Sequence, residues 1–385
     1  MPRSVLSIIG LVVLALVVTA CGDTPPPSTT PASESAAESP AEESPAETAA
    51  ESVTPSEEPS TGEGRLADVQ ERGELRCGIN GTLPGFSVLD ADGNTVGFDA
   101  DFCRAIAAAV LGDSEAVEFR ELTADQRSTA LQTGEIDVLI RNTTWTVSRD
   151  TSWGLFAPTT FYDGQAIMVN STQVDATSIE ELDGADVCVL TGTTTEQNLQ
   201  DAATNAGIEL NPQTFPEAPD LYDAYTAENS ICDAATSDRS QLTAQRSGFE
   251  SPDDHLILDD VLSKEPLGPV VPLGDDQWFN VVKWVVYASI EAEELEITSE
   301  NVEDTAASTE NPVVQRFLGV TPEGEEPFES GLGLEPDWVV AVISQVGNYA
   351  EIYDRNLGPE TPIALERGLN SLWTDDGLLY APPYR

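Results

Sequence analysis

The chain has 385 residues, 40% of them hydrophobic, and carries 68 acidic against 17 basic side chains, a formal charge of -51. Such an excess of negative charge repels phosphate backbones and anionic headgroups, which excludes a nucleic-acid partner. Once roughly the first sixty residues are set aside, the remainder is long enough to bury two cores, so a two-domain soluble protein is expected.

The N-terminus begins with Arg3 and an apolar run from Val5 to Val18, too short for a membrane span, followed by Thr19, Ala20 and Cys21. This is the pattern of an export signal over residues 1–20. The run VVTAC at 17–21 resembles the bacterial lipobox, which implies cleavage before Cys21 and acylation of its sulfur. Two or three acyl chains hold a protein firmly on a bilayer, at about 0.8 kcal/mol per buried methylene. Residues 21–64 are dominated by Ser, Thr, Pro, Ala and Glu, with no aromatic or basic side chain. They cannot bury a core, and their charge and prolines favour an extended tether.

From Arg65 the texture changes. The short segments 75–79, 117–119, 136–140, 166–169, 187–190, 231–236 and 256–258 read as strands, and the alanine-rich stretch 101–111, with apolar residues at helical spacing, reads as a helix. Their alternation is an α/β signature and predicts mainly parallel sheets. Ligands of open α/β sheets bind beyond the carboxyl ends of the strands. Four of those ends carry NGTLPGFS, RNTTWTVSRD, TGTTTEQ and SDRS. Together they offer a cation, Arg149, an anion, Asp238, and a cluster of hydroxyls. A zwitterionic amino acid requires that set: a guanidinium fork for its carboxylate, a carboxylate for its ammonium, and donors around both.

The stretches GFDADFCRAIAAAVLGD, LQTGEIDVLIRNTTWTVSRDTSWG, FYDGQAIMV, GTTTEQNL, CDAATSDRSQL, WVVAVISQVGNYAEIYDRNLGP and GLNSLWTDDGLLYAPPYR follow one another along the chain. In this order they resemble the general amino-acid-binding proteins of ABC transporters, part of the bacterial extracellular solute-binding proteins of family 3, over nearly all of 65–385. The resemblance implies a two-lobed type II periplasmic-binding fold whose chain crosses the hinge twice, first near 160–165. Residues 65–163 and 274–385 would form lobe 1 and residues 164–273 lobe 2. It implies that Arg149 forks onto the ligand carboxylate, aided by the hydroxyl of Thr144, and that the backbone N–H of Thr194 closes over it. The carbonyl of Asn142 and the carboxylate of Asp238 would receive the ammonium. Leu83 and Ala124 stand roughly where narrower members carry aromatic rings, which implies a wider pocket and broad specificity, with Trp145 as a further apolar wall. The implied partners are a free L-amino acid and the permease of an ABC transporter, at the outer face of the membrane or in the periplasm.

Four cysteines remain besides Cys21, an even number in an exported chain, so disulfides are expected. Three pairings are possible. A bond between lobes would lock the hinge, which favours Cys77 with Cys103 and Cys188 with Cys232. No spacing suits a metal, no cofactor is expected, and the sole histidine, His255, sits in a polar DDH turn that reads as surface. Two rival functions exist on such a fold. A catalyst would need a nucleophile with its base, or an acid–base group near neutrality, and none is evident. A sensory amino-acid-binding domain would need a signalling helix, and no such segment follows the domain in the sequence.

Overall fold

The computed structural model describes residues 64–322, 324, 326 and 328–385. The expected export signal, the lipidated Cys21 and nearly all of the tether lie outside these residues. The rest forms two lobes, each built on its own sheet.

The first sheet has five strands in the order Val117–Glu121, Leu75–Ile79, Val138–Leu139, Val270–Val271 and Leu155–Phe156. The second is ordered Asn211–Phe215, Asp186–Leu190, Ala234–Asp238, Phe161–Asn170 and His255–Ile257, with Ser263–Leu267 pairing the same long strand nearer its start. Two crossings join the sheets. Phe161–Asn170 leaves lobe 1 and Ser263–Leu267 returns antiparallel beside it, in a register that sets Asp163 opposite Glu265. Val270 pairs with Leu139 and Phe156 in the first sheet, so by strand pairing the return is complete a few residues ahead of 273.

The sheets are mixed rather than mainly parallel. Each has a parallel half, Leu75–Ile79 between its two neighbours and Asp186–Leu190 between its two. The antiparallel halves follow from the hinge: a chain that crosses and comes back must run its return strand against the outgoing one.

Local chemistry sets the element ends. The helix Phe98–Leu111 starts after Gly97, whose φ of +133° no side chain would tolerate, since a Cβ there would lie 2.2 Å from the Phe86 carbonyl oxygen. It stops at Gly112 in the left-handed region, whose N–H bonds back to Ala108. Its start three residues ahead of the sequence-based boundary reflects Asp99 and Asp101 in the first turn, where acids complement the helix dipole. The expected strand at 231–236 begins later, at Ala234, because the Ser230 hydroxyl bonds the N–H and carbonyl of Cys232 in a tight turn and Ile231 projects into solvent.

Lobe 1 packs the aromatic rings of Phe86, Phe98, Phe102, Phe161, Tyr349 and Tyr353 edge-on or stacked around the hinge strand. Tyr349 donates to the Thr160 carbonyl at 2.7 Å, and Asn370 both donates to and accepts from the backbone of Tyr162. Helices from the end of the chain thus brace the first crossing. Lobe 2 has two smaller cores, one on each face of its sheet. Cys77 is joined to Cys103 within lobe 1 and Cys188 to Cys232 within lobe 2, so neither bond spans the hinge.

Candidate functional site

The carboxyl ends of both sheets face one another across the hinge, and a single cavity gathers polar residues from both lobes. Its walls include Arg127, Arg141, Asn142, Thr144 and Arg149 from lobe 1 and Leu190, Thr193, Thr194, Thr195, Ser237, Asp238 and Gln241 from lobe 2.

Lobe 1 contributes the segment that follows Val138–Leu139. Asn142 takes a φ of +32°, held there by its N–H donating to the buried Asp99 carboxylate at 2.9 Å, while its side-chain oxygen accepts from Asn80. Thr143 to Trp145 are stitched to the returning hinge strand: Trp145 N–H donates to the Pro266 carbonyl and Gly268 N–H to that of Thr143. The short helix Val147–Ser152 is capped by the Thr146 hydroxyl and carries Arg149 on its buried side. The Arg149 guanidinium donates to the Thr144 carbonyl at 3.1 Å and stacks 4.8 Å from the centre of Trp153.

From lobe 2 comes a helix start. Thr193 caps Thr194–Ala206 by accepting from Glu196 N–H, which leaves the Thr194 N–H at the first turn without an intrahelical partner and beside the positive end of the dipole. The Thr194 hydroxyl meets that of Thr144 at 3.3 Å and donates to Glu265 at 3.0 Å. Asp238 ends the strand Ala234–Asp238 and precedes the helix Arg239–Arg246.

The site is electrostatically tense. Burial, then the nearby Asp163 and Glu265, push the Asp238 carboxyl well above its usual range, against the pull of Arg149 and Arg127. Burial raises Asp163 to about 6 and Asp99 to about 7. Burial also lowers Arg127 and Arg149, and brings Arg141 down to about 10, where it remains a cation at neutral pH. The Gln241 amide nitrogen lies buried on the cavity wall without a hydrogen-bond partner.

The structure brings Asn142, Thr144, Arg149, Thr194 and Asp238 together. It does not put Leu83, Ala124 or Trp145 on that cavity wall. Leu83 is 1% exposed in the lobe 1 core, Ala124 is buried with its carbonyl accepting from Arg127, and Trp145 is half exposed and stacked on Phe156. His255 is buried rather than superficial, since its Nδ1 pairs with the Tyr225 hydroxyl at 2.9 Å and its ring packs edge-on against Phe249. Arg127 and Arg141 went unnoticed in the sequence. Arg141 lies two residues past the strand Val138–Leu139, and the strand-end rule applied to every residue would have found it. Arg127 lies on the helix Arg127–Thr133, away from any strand end, and left no comparable signal.

The family model of bacterial extracellular solute-binding proteins, family 3, matches residues 75–359. The chain belongs to that family. It is 48% identical over 321 residues to the general L-amino acid-binding periplasmic protein AapJ of Rhizobium johnstonii, covering 83% of this chain and 92% of that one. It is 46% identical over 321 residues to the glutamate/glutamine/aspartate/asparagine-binding protein BztA of Rhodobacter capsulatus, covering 83% and 93%. A periplasmic binding protein of an ABC transporter from Brucella ovis, solved with glutathione bound, superimposes with a TM-score of 0.80 at 45% identity, over 84% of this chain and 99% of that one. The family's two-lobed type II fold is the one described above. Among the described residues, no helix is long and apolar enough to cross a membrane, and no group of His, Cys, Asp and Glu could hold a metal ion.

Proposed function

We propose that this chain is a lipid-anchored, extracytoplasmic solute-binding protein that captures free L-amino acids across a broad range and delivers them to the permease of an ABC transporter. One observation carries the reading: Arg149 of lobe 1 and Asp238 of lobe 2 line the same cavity from opposite sides. The guanidinium, the Thr144 hydroxyl and the Thr194 N–H take the ligand carboxylate, and Asp238 with the Asn142 carbonyl takes the ammonium. The α-carbon is then fixed by charges that lie in different lobes, so ligand favours the closed state over the open one, and that differential affinity drives closure. With the lobes in contact the cavity measures about 20 Å³, room for little more than one water molecule. Entry of an amino acid therefore requires the lobes to part. On this reading Arg149 and Asp238 are committed to ligand charges, which suits a binder.

A second reading has its own support. A chamber of about 190 Å³ adjoins the cavity, and the Brucella ovis relative was solved with glutathione bound. A peptide-sized γ-glutamyl ligand is therefore the alternative cargo.

The test is thermal stability of the exported chain with each of the twenty L-amino acids and with glutathione. A ligand at about 100 times its dissociation constant stabilises by about 2.7 kcal/mol. Shifts with several chemically different L-amino acids, weaker with D-enantiomers, are expected. A response to none of them would overturn the reading, and a response to glutathione alone would favour the second.

A further inference from the structure

A guanidinium removed from water is costly unless it meets an anion, and this cleft buries more of them than one α-carboxylate can satisfy. Arg127, Arg141 and Arg149 are 2%, 7% and 6% exposed. None takes part in an ion pair among the described residues.

Their hydrogen bonds differ. Arg149 is the one assigned above to the α-carboxylate. Arg127 is occupied by the protein itself: its three nitrogens donate to the Ala124 carbonyl at 2.9 Å, the Thr143 hydroxyl at 3.5 Å and, across the cleft, the Gly192 carbonyl at 3.3 Å. Arg141 donates only from Nε, to the Leu122 carbonyl at 2.7 Å. Its two terminal nitrogens have no hydrogen bond among the described residues. The carboxylates that act on it, Asp99 and Glu217, form no ion pair with it, and Asp99 is engaged with the Asn142 N–H.

Position adds the second argument. Arg141 and Leu190 line both the ligand cavity and the adjoining chamber, whose walls also carry Glu121, Gln126 and Glu217. Anything that extends from the α-carbon toward the chamber passes Arg141.

We propose that Arg141 receives a second anionic group on the ligand, so that within its broad range the cleft favours amino acids whose side chain ends in a carboxylate. The chamber takes the remainder of longer ligands of this kind. The proposal rests on the reading that Arg149 and Asp238 hold the α-amino-acid end.

L-Glutamate and L-glutamine have nearly the same shape and differ in charge, which isolates the point. In calorimetry at neutral pH the parent is expected to bind glutamate about tenfold or more tighter than glutamine, a range usual for a desolvated charge contact. Arg141→Gln should bring that ratio to about one, whatever happens to the glutamine affinity itself, and Arg141→Lys, which keeps the charge but not the fork, should fall between. Equal affinities in the parent, or a ratio unchanged in Arg141→Gln, would overturn the proposal. The parent ratio decides even if a variant fails to fold. Glutamine binding without a glutamate preference would sink this inference alone, whereas no binding of any amino acid would sink the underlying reading with it.

Discussion

Lobe 1 faces the cleft with the three guanidiniums of Arg127, Arg141 and Arg149, whereas lobe 2 faces it with the Asp238 carboxylate and the threonine-capped start of Thr194–Ala206. The hinge strands add Asp163 and Glu265 between them. Each wall is a poor surface to bury by itself, because its charges are of one sign and lose water when the lobes meet. A zwitterion laid with its carboxylate on the first wall and its ammonium on the second supplies the missing counter-charge to both. On the proposed reading the contrast makes recognition and closure one event, since neither lobe alone would have a complete site.

The deepest break in that contrast comes from removing one charge. Arg149→Ala or Asp238→Ala leaves a ligand charge buried and unpaired, at about 2 to 5 kcal/mol, and should weaken amino-acid binding by about thirty-fold to several thousand-fold. Neither residue belongs to a hydrophobic core, so melting without ligand should stay close to the parent. Calorimetry on both variants, with small-angle scattering of the parent for compaction on saturation, checks this. Near-parental affinity in both would dissolve the two-wall account.

The lobes can also be weakened separately. Each holds one disulfide, closing 26 residues in lobe 1 and 44 in lobe 2. In the loop-entropy model these constrain the unfolded chain by about 3.5 and about 4 kcal/mol. Cys77→Ser with Cys103→Ser, and Cys188→Ser with Cys232→Ser, should each lower denaturant stability by about that amount, the lobe 2 pair slightly more. Non-reducing peptide mapping of the exported protein should recover the same two links; free thiols at all four positions would contradict them.

The smallest effect is that of pH. Burial raises Asp99, in lobe 1, to about 7 and Asp163, on the hinge, to about 6. Their folded pKa lies above the unfolded value, so the native chain holds protons that the unfolded chain has released. This contribution is fully present below the ordinary carboxylate range and is lost as pH rises through 6 to 7. Stability without ligand should therefore be greater at pH 5 than at pH 8, by about 2 kcal/mol for a group such as Asp99. Asp99→Asn should flatten part of the slope in thermal melts across that range. A stability that climbs steadily from pH 5 to pH 8 would show these carboxylates to be ionised in the fold at little cost.

How much of this was legible beforehand differs from residue to residue. The strand Leu75–Ile79 was readable to its ends because its short stretch is followed by a polar glycine turn, and the positions of Arg149, Thr194 and Asp238 on the cavity were readable because they lie in segments that end or follow strands in a recognisable order. His255 misled because local polarity reports on the turn it occupies, while its burial depends on Phe249 and Tyr225, which come from other elements.

The order of strands and helices, the membership of the family and the candidate charge pair proposed here follow from the amino-acid sequence itself, since periodicity, turn residues and motif order are local properties. Only the tertiary structure decided which side chains share the cleft. Leu83 turns into the lobe 1 core, Arg127 reaches across to the Gly192 carbonyl, and Arg141 stands with free donors between two cavities. The reason is physical: a side chain's partners across a hinge are set by how two separately packed lobes meet, and no spacing along the chain encodes that distance.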